Sequence, residues 1–261
     1  MKEGIKVTVV VAYKWAANPQ DATVDQDGAV DWSRAKTAVS EYDPVAMALG
    51  RKVATALGAE LVGASVGSSA VASSMATKGA MSRGLDRGVL VADDAVVGWN
   101  ATQVAATLAA LVNRLDGVDL VLTGDASVDE GARTMSALVA GFLGWACFQD
   151  VVGVVHSGDA WIVTQAVVGG TRTVEVSGPV VVAITSDALV PPVPGMKDIL
   201  AASKKPVEVV ALSELGPAAV DLQVTGRTRP MSRSRRNQMF TGGAAEVVAA
   251  AVAAMHADAV L

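Results

Sequence analysis

The residues best suited to chemistry crowd into one stretch, LTGDASVDEGARTMSALVAGFLGW, from Leu122 to Trp145. Its apolar start ends at Gly124, a small polar loop follows, and helical apolar spacing then runs to Trp145. Asp125, Asp129 and Glu130 stand in the loop, where carboxylates could serve acid/base work or hold Mg²⁺. Gly131, Ala132, Arg133 and Thr134 would place unobstructed amides, a guanidinium and a hydroxyl at a helix start, the groups that hold a phosphate. A third reading is a plain connection, because every parallel sheet has such crossings. For Glu130 the favoured role is a carboxylate stabilised by the helix dipole. Asp129 could instead hydrogen-bond loop amides and shape the cradle. Neither Gly-x-x-x-x-Gly-Lys nor Gly-x-Gly-x-x-Gly occurs in this loop, which argues against a P-loop ATPase.

Other chemistry is poorly supplied. Serines are plentiful, but His156 falls in a predicted strand, His256 lies near the last residue, and no Gly-x-Ser-x-Gly elbow occurs, so a hydrolase triad is disfavoured. The single cysteine, Cys147, precludes an internal disulfide and reads as a small hydrophobe. Two histidines without a Cys/His cluster leave zinc almost no ligands. Arg227, Arg229, Arg233, Arg235 and Arg236 form a basic cluster. With a net charge of −5 and no interleaved aromatics, that cluster fits protein contact or solvent better than nucleic acid.

The elements that must position these residues follow from composition and pattern. At 261 residues and 51% hydrophobic, the chain suffices for one large α/β domain, with or without a small appendage. Only 4% of residues are aromatic, which suits buried parallel strands against closely packed helices. Strand patterns at Ile5–Ala12, Glu60–Ser65, Gly88–Ala92 and Leu120–Thr123 alternate with helical ones. Asp43-Pro44 offers an N-cap and a first-turn proline, Val66-Gly67-Ser68-Ser69 opens a further helix, and Asn100 caps a helix to about Leu115. This alternation predicts an α/β fold with a doubly wound, mostly parallel sheet. Val151–His156, Trp161–Val168 and Thr171–Val176 then read as added antiparallel strands joined at Ser157-Gly158 and Gly169-Gly170, and Pro179–Thr185 as one more strand.

The core is therefore expected over residues 1–186. Residues 190–197, VPPVPGMK, are too proline-rich for a helix or a central strand. A long aperiodic segment to Thr241 and a last helix at Ala244–Met255 suggest an arm docking on a partner chain, with a disordered tail as the alternative. No apolar run reaches transmembrane length and no signal-peptide pattern precedes the first strand, so the expectation is a soluble, cytoplasmic protein without membrane insertion.

Several segments together resemble the beta subunit of electron transfer flavoproteins. Val11-Ala12-Tyr13-Lys14 looks like that family's first strand, and Ser40-Glu41-Tyr42-Asp43-Pro44-Val45-Ala46 its Asn-Pro-Phe-rich loop and next helix. Ser65-Val66-Gly67, Gly84-Leu85-Asp86-Arg87 and the ungapped stretch from Gly124 to Gly144-Trp145 fit further positions. So do Ile184-Thr185-Ser186-Asp187, Pro191, Pro194, Met196-Lys197-Asp198-Ile199-Leu200 and Lys204-Lys205-Pro206. The Thr-Ser-Asp and Met-Lys-x-Ile-Leu spellings are similar to the branch associated with nitrogen fixation and carnitine metabolism.

The resemblance implies a Rossmann-like, adenine-nucleotide-binding core in a heterodimer with an alpha subunit that carries the redox FAD. This chain would hold AMP or a second FAD, which in bifurcating branches takes a hydride from NADH. Electrons would pass between a flavin dehydrogenase, acyl-CoA dehydrogenase-like or a quinone oxidoreductase, and an acceptor. By position, Ala12, Ser40 and Val66 would line the adenosine, Asp129, Gly131, Ala132, Arg133 and Thr134 would hold the phosphates, and Gly67 and Gly124 would belong to the same cofactor site. Residues 187–206, with Pro194, Met196, Lys197, Ile199 and Leu200, would recognise partner dehydrogenases, and residues 207–261 would wrap the alpha subunit. The chain departs from the family at Arg133-Thr134-Met135, where Asn-Gln-Thr or a Gln pair is usual, at Ser40 for Asn, and at Pro192 for Arg. Two side-chain amides are thereby lost and one cation gained, so Arg133 either pairs with a phosphate directly or points away. The rival is a stand-alone adenine-nucleotide-binding protein, stress-protein-like or ATP-using. The arginine-bearing arm and the proline-rich segment speak against it.

Overall fold

The computed structural model describes residues 7–216, 225–226, 231 and 235–260. Strand β1 (Thr8–Ala12) reads Thr-Val-Val-Val-Ala and is buried at all five positions, as a strand covered on both faces must be. Its side chains alternate between two cores. Val9 and Val11 join Leu61, Leu122 and Val182 on one face, while Val10 and Ala12 join Val62, Val121 and Val181 on the other.

Two short antiparallel ribbons follow, β2 (Trp15–Ala17) with β5 (Thr37–Val39), and β3 (Thr23–Val24) with β4 (Val30–Asp31). The chain then alternates through α1 (Asp43–Leu57), β6 (Glu60–Gly67), α2 (Ser74–Met81), β7 (Arg87–Ala92), α3 (Ala101–Asn113), β8 (Val118–Gly124) and α4 (Met135–Leu143). The long β9 (Ala146–Ser157), β10 (Ala160–Val167) and β11 (Gly170–Ser177) precede β12 (Val180–Ile184), α5 (Met196–Ala202) and β13 (Val207–Val209). The main sheet has the order β11-β10-β9-β12-β8-β1-β6-β7-β13, and only the β9–β10 and β10–β11 pairs are antiparallel. The chain winds outward through β1, β6 and β7, then crosses back to β8, so the order reverses between β1 and β8. This is the doubly wound, mostly parallel α/β sheet with added antiparallel strands that the sequence predicts.

Helices α1 and α2 cover one face through residues such as Val45, Leu49, Val53 and Met81, while α3 and α4 cover the other through Leu108, Leu111 and Val139. Gly50 lets α1 sit close to the sheet, because a Cβ there would come within 2.9 Å of Val11 and 3.0 Å of Leu61. Asn100 caps α3 as expected, in a capping box with Gln103.

Four expectations need correction. Tyr42, not Asp43, is the α1 cap, and Asp43 is the first helical residue with its side chain buried for another task. The helix of the Leu122–Trp145 stretch begins at Met135, so Gly131–Thr134 belong to the loop ahead of it and Glu130 is not a helix-dipole residue. The core does not end near Ser186, because β13 pairs in parallel with β7 and supplies the far edge of the sheet. A three-residue strand carries too little periodicity to show in sequence. Within the segment expected to be a recognition loop, residues 190–195 are irregular but 196–202 form α5, where Asp198 accepts from the Gly195 amide at 2.8 Å.

The described residues between 225 and 260 form a separate compact unit. Its helix α6 (Ala244–Ala257) starts where Glu246 accepts from the Gly243 amide, and Arg236 pairs with Asp258 at 2.6 Å. Arg227, Arg229 and Arg233 of the basic cluster lie outside the described residues. No helix among the described residues is long and apolar enough to cross a membrane.

Candidate functional site

A cavity of about 310 Å³ opens at the carboxyl ends of β1, β6 and β8. Ligands bind at such a point of strand-order reversal because the loops diverge there and leave a crevice. Parallel register sets Ala12 beside both Thr123 and Ala64, so the loops leaving the three strands face one space. Ala12, Tyr13 and Lys14 line it after β1, Val66, Gly67 and Ser68 after β6, and Val96–Trp99 after β7. Thr123–Ser127, Glu130 and Ala132–Met135 line it after β8.

Buried polar groups tie these loops together. Asp43 accepts from the Lys14 amide at 2.7 Å and also from the Gly124 amide, joining the ends of β1 and β8 through the start of α1. Gly124 is needed for that approach: a Cβ there would lie 2.7 Å from Asp43 Oδ1 and 2.9 Å from the Tyr42 carbonyl carbon. Burial pushes the Asp43 carboxyl up from 3.8 to about 7, against the opposing pull of the two amides and the Lys14 charge. Ser40 Oγ accepts from the Val128 amide at 3.2 Å, and its own amide donates to the Lys14 carbonyl at 2.9 Å. Lys14 Nζ reaches across to Asp129 at 2.8 Å and Glu130 at 3.5 Å. Partial burial pushes the Asp129 carboxyl up, but hydrogen bonding and charge from Lys14 outweigh it and hold that carboxyl below the usual range.

The Asp125–Thr134 loop is tightened by the Gly131 amide donating to the Ser127 carbonyl at 2.9 Å. Gly131 at φ 61° and Arg133 at φ 54° take left-handed turns, the second unusual for a residue with a side chain. Thr134 caps α4 without a side-chain hydrogen bond, so the first-turn amides lack that acceptor. Arg133 Nη2 donates to Asp125 at 2.8 Å and to Asp150 at 3.2 Å. Asp150 is delivered by an irregularity in β9, whose pairing with β12 breaks between Val182 and Ile184, and its own φ is 54°. Asp125 Oδ1 is buried and has no hydrogen-bond partner among the described residues.

The structure thus gathers Ala12, Val66, Gly67, Gly124, Ala132, Arg133 and Thr134 around one cavity. Ser40, only 1% exposed, does not line it and instead braces the loop from behind. Asp129 and Gly131 likewise shape the wall rather than line it. The three loop carboxylates do not converge as an acid/base or metal cluster: Arg133 takes Asp125, while Lys14 takes Asp129 and Glu130. Among the described residues no group of three potential ligands converges to hold a metal ion. Sequence reasoning missed Asp43 and Trp99 as wall residues, and Asp150 as the second partner of Arg133. An Asp ahead of a proline reads as a helix start, and nothing local shows that it bonds two strand ends. Of the expected partner contacts, Met196, Ile199 and Leu200 are exposed on α5, Lys197 is exposed there too, and Pro194 is half-buried.

Residues 27–215 match the family model described as electron transfer flavoprotein domain. The matched stretch includes β6, β8 and the whole Asp125–Met135 wall, while β1 and Lys14 lie ahead of it.

Proposed function

The chain belongs to the electron transfer flavoprotein family, whose members are electron carriers associated with flavin, and from that premise we propose that it is a beta-type subunit. In this reading it holds AMP or a second FAD in the cavity between β1 and β8, in a heterodimer whose alpha subunit carries FAD. The complex shuttles electrons between a flavin dehydrogenase and an acceptor, in the cytoplasm. The observation that carries the reading is the cavity itself. It lies where the strand order reverses, and it is walled by most of the positions that the resemblance marks for adenosine and phosphate.

The donor set fits such a ligand. Ala12, Val66 and Gly67 give a small apolar floor against which a planar base can lie, and the uncapped first turn of α4 presents amides to a phosphate. Arg133 supplies a cation at the same end, provided that it turns from Asp125 and Asp150. A bound FAD would add a redox centre that NADH can reduce, whereas a bound AMP would add only binding free energy to the assembly. The protein's own part is positional in both cases. Asp43, Ser40 and Lys14 hold three loops in place, and α5 offers Met196, Ile199 and Leu200 to a partner.

The test is to purify the chain with its flavin-bearing partner and to quantify flavin and AMP after denaturation. One FAD and one AMP per heterodimer supports the carrier, and two FAD supports the bifurcating type. A lone monomer that retains ATP and takes no partner overturns the reading in favour of a stand-alone nucleotide-binding protein.

A further inference from the structure

The lining of the cavity contains two cations, Lys14 and Arg133, and each is already engaged by two carboxylates. The two systems differ in what they hold. The Lys14 pairs join the loop after β1 to the loop after β8, so they have a structural task. The Arg133 pairs lie where the phosphate of an adenine nucleotide would lie, ahead of the uncapped α4. Arg133 and Asp150 are 54% and 56% exposed, so both side chains can move at little cost, while Asp125 is 9% exposed and stays. Both bonds use the same nitrogen, Nη2. Asp125 engages Arg133 through Oδ2 alone, and its buried Oδ1 has no partner among the described residues. A phosphate approaching Arg133 therefore meets a carboxylate that is only half satisfied, and repulsion grows with each phosphate charge in so confined a space.

We propose that Asp125 and Asp150 are specificity-determining residues, which compete with a ligand's phosphate for the Arg133 guanidinium and bias the cavity towards adenine ligands of low phosphate charge. The proposal rests on the adenine-nucleotide reading above. Asp150 owes its place to the break in β9, where the chain adopts a left-handed backbone that a regular strand would not use. The irregularity aims an exposed acid at Arg133. In consequence phosphate affinity is held down by two residues of which only one, Asp125, belongs to the loop itself.

The experiment is calorimetric titration of the full chain, stripped of nucleotide, with adenosine, AMP and ADP. The readout is the ratio of AMP to adenosine affinity, which cancels contacts to the base and ribose. Asp125→Asn should raise that ratio about tenfold and Asp150→Asn about threefold, with ADP gaining more than AMP in both. Adding Arg133→Gln to either variant should remove the gain. Asp150→Asn alters an exposed side chain and keeps the test open should Asp125→Asn fold poorly. A ratio unchanged or lowered in both variants, with AMP and adenosine still bound, overturns this proposal and leaves the adenine site standing. Failure of the wild-type chain to bind adenosine, AMP or FAD overturns both.

Discussion

On the β1 side of the cavity Asp43 and Ser40 are buried and accept backbone amides, whereas on the α4 side Arg133 and Asp150 are exposed and bond to side chains. Asp43 and Ser40 receive the amides of Lys14, Gly124 and Val128, so each fixes a strand end or loop whose position cannot vary. Arg133 and Asp150 fix only each other and Asp125. The difference teaches which residues build the site and which tune it. A buried acceptor removed from a backbone amide leaves that amide unsatisfied, while an exposed ion pair contributes little to stability and can be exchanged for a ligand.

The sharpest way to break the comparison is pH. Asp43 holds its proton up to about pH 7 in the folded chain, against 3.8 as the ordinary value. Between those limits the folded state binds more protons than the unfolded one, so stability is highest at the acid end of this window and falls as pH rises through it. The contribution is on the order of 4 kcal/mol. Urea denaturation from pH 4 to pH 8 should show that decline, and Asp43→Asn should flatten it; an equal slope in the variant would place its origin elsewhere.

Gly124→Ala comes next, because its Cβ would collide with Asp43 and with the Tyr42 backbone. A loss of about 2–3 kcal/mol is expected by chemical denaturation, and a change under about 0.5 kcal/mol would mean that the β8–α1 junction yields easily. Ser40→Ala strips the Val128 amide of its acceptor and should cost about 1–2 kcal/mol, with faster hydrogen exchange at that amide as the specific sign. Arg133→Ala should sit near the bottom of the scale, at about 1 kcal/mol, because the Asp150 pair is exposed but the buried Asp125 loses a partner. Its effect should show instead as looser retention of a phosphate-bearing nucleotide, and unchanged retention would mean that loop and helix amides suffice.

Much of the architecture was legible in local pattern. The Val-rich runs at β1 and β12, the Asn100 cap and the Gly158 and Gly169 turns place strands and helices through short-range physics alone. The start of α4 was not legible. Gly131 and Arg133 take left-handed conformations that hold the chain out of helix until Met135, although the residue types would tolerate an earlier start. The strand β13 was missed because its three residues are held by pairing with β7, a contact that spans more than a hundred positions. Among candidate site residues, Val66-Gly67, Gly124 and the polar loop to Thr134 were readable by type and spacing, whereas Ala12 entered only through the family resemblance. Ser40 was readable as a position but not in its role, because its burial depends on the loop that folds over it.

By itself, then, the sequence determined the alternating α/β order, the two-faced core of β1 and the polar loop after β8, since each follows from propensity and periodicity within a few residues. Only the tertiary structure decided the rest. It brought Asp43 to the ends of two strands, Lys14 to Asp129, and Asp150 through an irregularity of β9 to Arg133. The physical reason is that charge and hydrogen bonding act across space. Which carboxylate neutralises which cation is settled by the register and crossing of distant strands, and the spacing of residues along the chain carries no trace of it.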